Sequence, residues 1–154
     1  MNIEDATRTD KVLVSSQDQE AARDPVSHGA MWYRISAEPD YIRAELFHRQ
    51  TVEETRQFLE AVLAEVLKHR RALVLIYVRN SKAIFTVERY GFSRYMELAF
   101  KTAYKIALMG DSWELRVAHQ YVATLSRLRG VKLRTFLDEA AALEWLRAPE
   151  GPLQ

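Results

Sequence analysis

The stretch Ala72-Leu73-Val74-Leu75-Ile76-Tyr77-Val78 decides the fold. It is an unbroken apolar run rich in β-branched side chains, bounded by Arg70-Arg71 before it and Arg79-Asn80 after it. Its length suits a strand better than a helix, and the absence of alternating polar residues means both faces are covered. Strands of that kind lie in parallel sheets, where each strand reaches the next through a crossover, usually helical. The flanking sequence should therefore read as helices.

It does so on both sides. Upstream, Thr51 precedes Val52 and stands three residues before Glu54, the pattern of a capping box. From there Val52, Thr55, Leu59, Val62, Leu63, Val66 and Leu67 recur at helical spacing. Earlier still, Trp32 to Glu38 and Tyr41 to Phe47 are strand-like, with Glu38-Pro39-Asp40 as a tight turn between them. Downstream, Phe92, Tyr95, Met96, Ala99 and Phe100 give a helical period. Ala103 to Met109 then reads as a second buried strand, ended by Gly110. Asp111, three residues before Glu114, is the expected cap of a helix with the stripe Leu115, Ala118, Tyr121, Val122, Leu125 and Leu128, stopped by Gly130. Lys132 to Leu137 is a short last strand. Asp138 caps a final helix carrying Ala141, Leu143, Trp145 and Leu146.

The order is thus β-β-α-β-α-β-α-β-α. It predicts an α/β fold with a mixed β-sheet, an opening antiparallel hairpin and later strands parallel, packed with about four helices. Residues 31–148 are the expected domain. Residues 1–30 form an expected flexible tail holding Glu4, Asp5, Asp10, Asp18, Glu20 and Asp24 against Arg8, Lys11 and Arg23, with no apolar period. Residues 149–154 are a short C-terminal tail.

Composition narrows the function classes. The chain has 154 residues, 48% of them hydrophobic and 28% charged, with a formal net charge of +1. That suits one core-forming domain and argues against a dedicated nucleic-acid binder. The absence of cysteine rules out disulfides, thiolate nucleophiles and cysteine-based metal sites. With no membrane-length apolar run and no secretory signal pattern, a cytoplasmic location is expected.

The segments Tyr104 to Glu114 (YKIALMGDSWE) and Val131 to Leu146 (VKLRTFLDEAAALEWL) resemble the SpoIIAA-like branch of the STAS domain superfamily. The resemblance extends over about Trp32 to Leu146. It implies a regulatory, protein-interacting domain of the anti-sigma-factor-antagonist kind. Through the structural kinship of these proteins with CRAL-TRIO domains, it also implies an alternative, the binding of an apolar or amphiphilic small molecule. Antagonists switched by phosphorylation carry an Asp-Ser-Ser-Gly type motif after the third strand. Aligned by the glycine, this chain has Glu88-Arg89-Tyr90-Gly91, with Ser81 and Ser93 out of register, so the resemblance does not extend to serine-kinase switching.

The residues nominate no enzyme. There is no Gly-x-Ser-x-Gly elbow and no metal-binding histidine spacing. His28, His48, His69 and His119 read as surface or boundary residues. The five glycines form no phosphate loop. Gly110-Asp111-Ser112 could present helix amides to an anion, but Asp111 as cap would already occupy them. No cofactor, metal or catalytic residue is expected.

The stretch from Arg79 to Lys105 stands out. Arg79, Lys82, Arg89, Arg94, Lys101 and Lys105 face only Glu88 and Glu97 within it. Phe85, Tyr90, Phe92, Tyr95, Phe100 and Tyr104 are interleaved with them, most of them explained by core packing. The expected partner or ligand face is Arg79, Ser81, Lys82, Arg89, Tyr90, Gly91, Ser93, Gly110, Asp111 and Trp113. The expected partner is a protein, a homodimer included, or an apolar or amphiphilic small molecule. Trp145 is expected to pack the last helix on the sheet, and Trp113 to be exposed.

Overall fold

The computed structural model describes residues 30–87, 91–100 and 104–149. The expectations placed on residues 1–29, on Glu88, Arg89 and Tyr90, on Lys101 and on residues 150–154 lie outside them. The hairpin strands β1 (Trp32–Ala37) and β2 (Ile42–Phe47) pair antiparallel, from Trp32 opposite Phe47 to Ala37 opposite Ile42. There follow α1 (Val52–His69), β3 (Leu73–Arg79), α2 (Phe92–Ala99), β4 (Lys105–Gly110), α3 (Trp113–Leu128), β5 (Lys132–Thr135) and α4 (Glu139–Arg147). The five strands lie in sequence order, β1-β2-β3-β4-β5, with β2 to β5 parallel.

This topology puts the helices where they are needed. Each parallel crossover steps to the next strand in the same direction, and right-handedness then brings α1, α2 and α3 onto one face. Side chains alternate along each strand. Ile42, Ala44, Leu46, Val74, Ile76, Val78, Ile106, Leu108 and Leu133 enter the core beneath those three helices, with Phe58, Val62, Met96 and Leu115 over them. Burying each of the larger of these side chains contributes about 1.5–3 kcal/mol. The other face carries Leu75, Ala107 and Met109, which Ala142 and Leu146 of α4 cover, with Tyr41 beside them. Trp145 packs there too, 5.6 Å from Phe136 ring to ring.

Local chemistry fixes the helix starts. Thr51 Oγ1 accepts from the Glu54 amide at 3.1 Å, and Glu54 Oε1 accepts from the Thr51 amide at 3.3 Å, a complete capping box. Asp138 accepts from the Ala141 amide at 2.8 Å. The expectation that Asp111 caps α3 is corrected. Ser112 is the cap, accepting from Leu115 N at 3.1 Å. The Asp111 carboxylate instead accepts from the Asn80 amide at 3.0 Å and ties the end of β4 to the end of β3.

The apolar stripes are also corrected in part. In α3 the buried positions include His119 and Ala123, while Tyr121 and Leu128 are exposed. At 3.6 residues per turn, positions six and thirteen beyond Leu115 fall on the side away from the sheet, whereas His119 falls beside it. In α1, Phe58 is buried and Leu67 exposed; in α4, Ala142 is buried rather than Ala141.

Candidate functional site

In a parallel sheet the loops that follow the strands collect along one edge, and ligands usually meet the fold there. Here that edge holds His48 to Gln50 after β2, Asn80 to Val87 after β3, Asp111 and Ser112 after β4, and Phe136 and Leu137 after β5. The loops are joined by backbone bonds. Lys82 N donates to Arg49 O at 2.9 Å, and Asp111 N donates to Val78 O at 3.2 Å.

The structure brings some of the expected face residues together at this edge. The Ser81 hydroxyl accepts from Arg49 N at 2.9 Å and donates to Arg79 O at 2.8 Å, which holds the loop in place. The Lys82 carbonyl accepts from the Arg49 guanidinium. Gly110 is buried, and a Cβ on it would stand 2.9 Å from Leu115 Cβ and 3.1 Å from the His119 ring. Trp113 is 67% exposed, at the rim of a shallow cleft shared with Val117 and Leu137.

Others lie apart. Gly91 adopts φ +68°, the left-handed region that suits glycine, at the start of α2. Ser93 is buried, and its hydroxyl accepts from Arg129 Nε at 2.8 Å. Lys105 is buried as well, its ammonium donating to the carbonyls of Trp145 and Ala148 at 2.8 and 3.1 Å. Arg79 belongs to the sheet face that α4 leaves open. There Arg34, Arg43 and Arg79 surround Glu45, which is 5% exposed, at 2.9, 3.2 and 3.0 Å. Burial would raise the Glu45 pKa, but Arg43 and Arg34 outweigh it and hold the carboxyl below its ordinary value. Arg79 also lies 3.9 Å over the Tyr77 ring, and Trp32 stacks on Phe47 at 4.0 Å. Arg79 and Lys105 are thus both engaged, the one by Glu45 and the other by carbonyls at the end of α4.

Two residues outside the expected set form the most unusual arrangement. Arg49 and His119 are each 7% exposed, and both line a cavity of about 60 Å³ between the sheet and helices α1 to α3. Most of the remaining wall is apolar, with Phe58, Ile76, Phe92, Met96 and Leu108 among it. The Arg49 guanidinium donates Nη1 to Thr55 Oγ1 at 3.1 Å and Nη2 to the Lys82 carbonyl, while its Nε–H has no acceptor. Burial lowers its pKa to about 10, with Glu54 opposing. His119 Nδ1 also lacks a partner and lies against Gly110, a Cβ on which would stand 3.2 Å from it. Burial first, then the Arg49 charge, push the His119 pKa down to about 3, so the imidazole is neutral at physiological pH. The expectation that His119 is a surface or boundary residue is thus corrected. The Thr55 hydroxyl approaches the Thr51 carbonyl at 3.4 Å, and no base is hydrogen-bonded to it.

Among the described residues no cluster of histidine and carboxylate groups could hold a metal ion, and no helix is long and apolar enough to cross a membrane. What remains is an α/β domain with a mixed sheet, helices on both faces and a cationic group sealed into its larger core. A protein-family model described as SpoIIAA-like matches residues 41–147, most of this chain of 154. The chain therefore belongs to the SpoIIAA-like family. No curated protein matches it.

Proposed function

We propose that this SpoIIAA-like domain is a non-catalytic binding module, and that the cavity under α1 to α3 takes a small molecule apolar over most of its surface. One observation carries the reading: packing alone does not require a cavity of about 60 Å³ lined by a buried arginine. One water needs only about 10–15 Å³, so the space is several waters in size. Catalysis has no comparable support. Burial makes His119 a weak base with no nucleophile bonded to its Nδ1, and the Thr55 hydroxyl lies against a backbone carbonyl. Methyl NMR of the full chain under xenon pressure tests the reading. Resonances of Met96, Leu108 and Val122, which line the cavity, should shift together. If they stay fixed while surface methyls move, the cavity does not admit apolar guests and the reading fails.

A second reading, a docking face for another protein, is favoured by the exposed apolar rim at the strand ends. Trp113 and Leu137 are 67% and 78% exposed there, with Val117 beside them. Soluble proteins seldom cluster such side chains without an interaction to make. A second copy of the chain is the simplest such partner. Sedimentation over a range of concentrations should then show a dimer for the wild type and a monomer for Trp113→Ser; a monomer in both removes the homodimer.

A further inference from the structure

We propose a site separate from the core cavity: the cleft beside β5 binds the phosphoryl group of a small anion, gripped by Arg127, Lys132 and Arg134. The alternation of the sheet puts these cations together. Leu133 enters the core beneath α1 to α3, so its neighbours Lys132 and Arg134 point to the opposite face, where α4 lies. On that face Ala142 and Leu146 cover Leu75 of β3 and Ala107 of β4, while β5, at the sheet edge, borders an open cleft of about 570 Å³. Lys132 stands opposite Lys105 in the β4–β5 register, and Arg134 follows two residues further along the same side. The Arg134 guanidinium and the Lys105 ammonium lie against one ring, that of Trp145, at 5.6 and 4.9 Å. Arg127 reaches the cleft from the end of α3, its Nη1 donating to the Leu133 carbonyl at 3.4 Å.

Charge then fixes the kind of ligand. Four of the ten residues lining the cleft are cationic and none is acidic. Like charges directly opposite one another on neighbouring strands cost stability, and Lys105 opposite Lys132 is such a pair. The Lys105 ammonium is turned to the carbonyls of Trp145 and Ala148, so it adds positive charge to the floor rather than a free donor. Arg127 and Arg134 are exposed, and among the described residues no acidic group forms an ion pair with either. The arginines on the open sheet face differ, since Arg34, Arg43 and Arg79 converge on Glu45. Guanidinium forks match phosphoryl oxygens in pairs, and such charge-assisted bonds are the stronger kind. A single carboxylate has too few oxygens to engage three cations at once, whereas a phosphoryl dianion has three and the charge to match. Because the cleft is open, oxygens that no side chain reaches keep their water. Its volume is that of a small-molecule pocket, more than a bare phosphate fills, so the phosphoryl group belongs to a larger body lying along Ala148 and Pro149.

The full-length protein is titrated with pyrophosphate and, separately, with succinate at matched ionic strength, the Lys132 and Arg134 amides and the Trp145 indole N–H serving as NMR reporters. Pyrophosphate should bind at least about tenfold more tightly than the dicarboxylate, the worth of one charge-assisted hydrogen bond. Arg134→Gln, an exposed change, should weaken pyrophosphate by a similar factor, and Arg34→Gln should leave it unaltered. Equal affinity for the two anions, or equal weakening by the two variants, overturns the phosphoryl assignment; no shift at the three reporters overturns the site. The wild-type comparison is decisive even if a variant unfolds. Vesicles of phosphatidylcholine with and without phosphatidic acid identify the carrier. Retention on the phosphatidic acid vesicles alone, reversed by pyrophosphate, assigns the phosphoryl group to a lipid; pyrophosphate binding without retention assigns it to a soluble molecule.

Discussion

Lowering the pH tests the burial of His119 directly. In the unfolded chain a histidine takes a proton near pH 6.5; in the folded protein desolvation and the Arg49 charge hold His119 down to about 3. The unfolded state therefore binds the proton first, and stability falls as pH drops below 6.5. Above that value the histidine adds no pH dependence. At about 1.4 kcal/mol per pH unit, the loss by pH 5 comes to about 2 kcal/mol. The depressed carboxyls of Glu45 and Asp40 act in the same direction, but their effect enters mainly below about pH 4.5, where unfolded carboxylates protonate. The interval from pH 7 to 5 is thus largely free of them. Denaturant unfolding across that interval should show the decline in the wild type and a much flatter profile in His119→Met, which fills the site without a titrating group. The slope is measured within each variant, so a general loss of stability in His119→Met does not obscure it. Parallel slopes in the two proteins would refute the burial of a neutral His119.

Four further outcomes are expected. Glu45→Gln removes the carboxylate shared by Arg34, Arg43 and Arg79, and should lower the unfolding free energy by about 1–3 kcal/mol in a denaturant titration. Gly110→Ala puts a methyl 2.9 Å from Leu115 Cβ and against the His119 ring, so it should cost about 1–3 kcal/mol by overpacking and shift the cavity methyl resonances. A chain starting at Met31 should keep the unfolding midpoint of the full chain, because residues 1–30 carry no apolar period; a large fall would mean that the segment docks on the domain. Incubation with a serine kinase acting on STAS antagonists should add no phosphate, since Tyr90 precedes Gly91 and the Ser93 hydroxyl is buried against Arg129; stoichiometric labelling of Ser81 or Ser93, read by mass spectrometry, would contradict this.

The fold was legible because it is written in periods and caps. Ala72 to Val78 has no polar interruption, and β3 is covered on both sides as that implies. Thr51-x-x-Glu54 states the start of α1 in side-chain chemistry, and the helix begins there. The site was not written in that way. His119 carries a signal: it lies four residues after Leu115 and three before Val122, on the row facing the sheet, though histidine is usually counted polar and so falls outside an apolar stripe. Arg49 carried almost none. It sits between a strand and a helix cap, where an exposed cation is the ordinary expectation. It is buried because the loop after β3 folds back over it, with Ser81 binding its amide and Lys82 both taking its guanidinium and donating to its carbonyl. That contact depends on residues about thirty positions away, beyond any local period. The same loop continues into Ile84 and Val87, which wall the cavity. Loop position and cavity wall are joined through one guanidinium, so protection of the Lys82 amide from hydrogen exchange, which its bond to Arg49 O provides, should fall in Arg49→Gln. Unchanged protection in that variant would mean that the loop is set by Ser81 and the backbone alone.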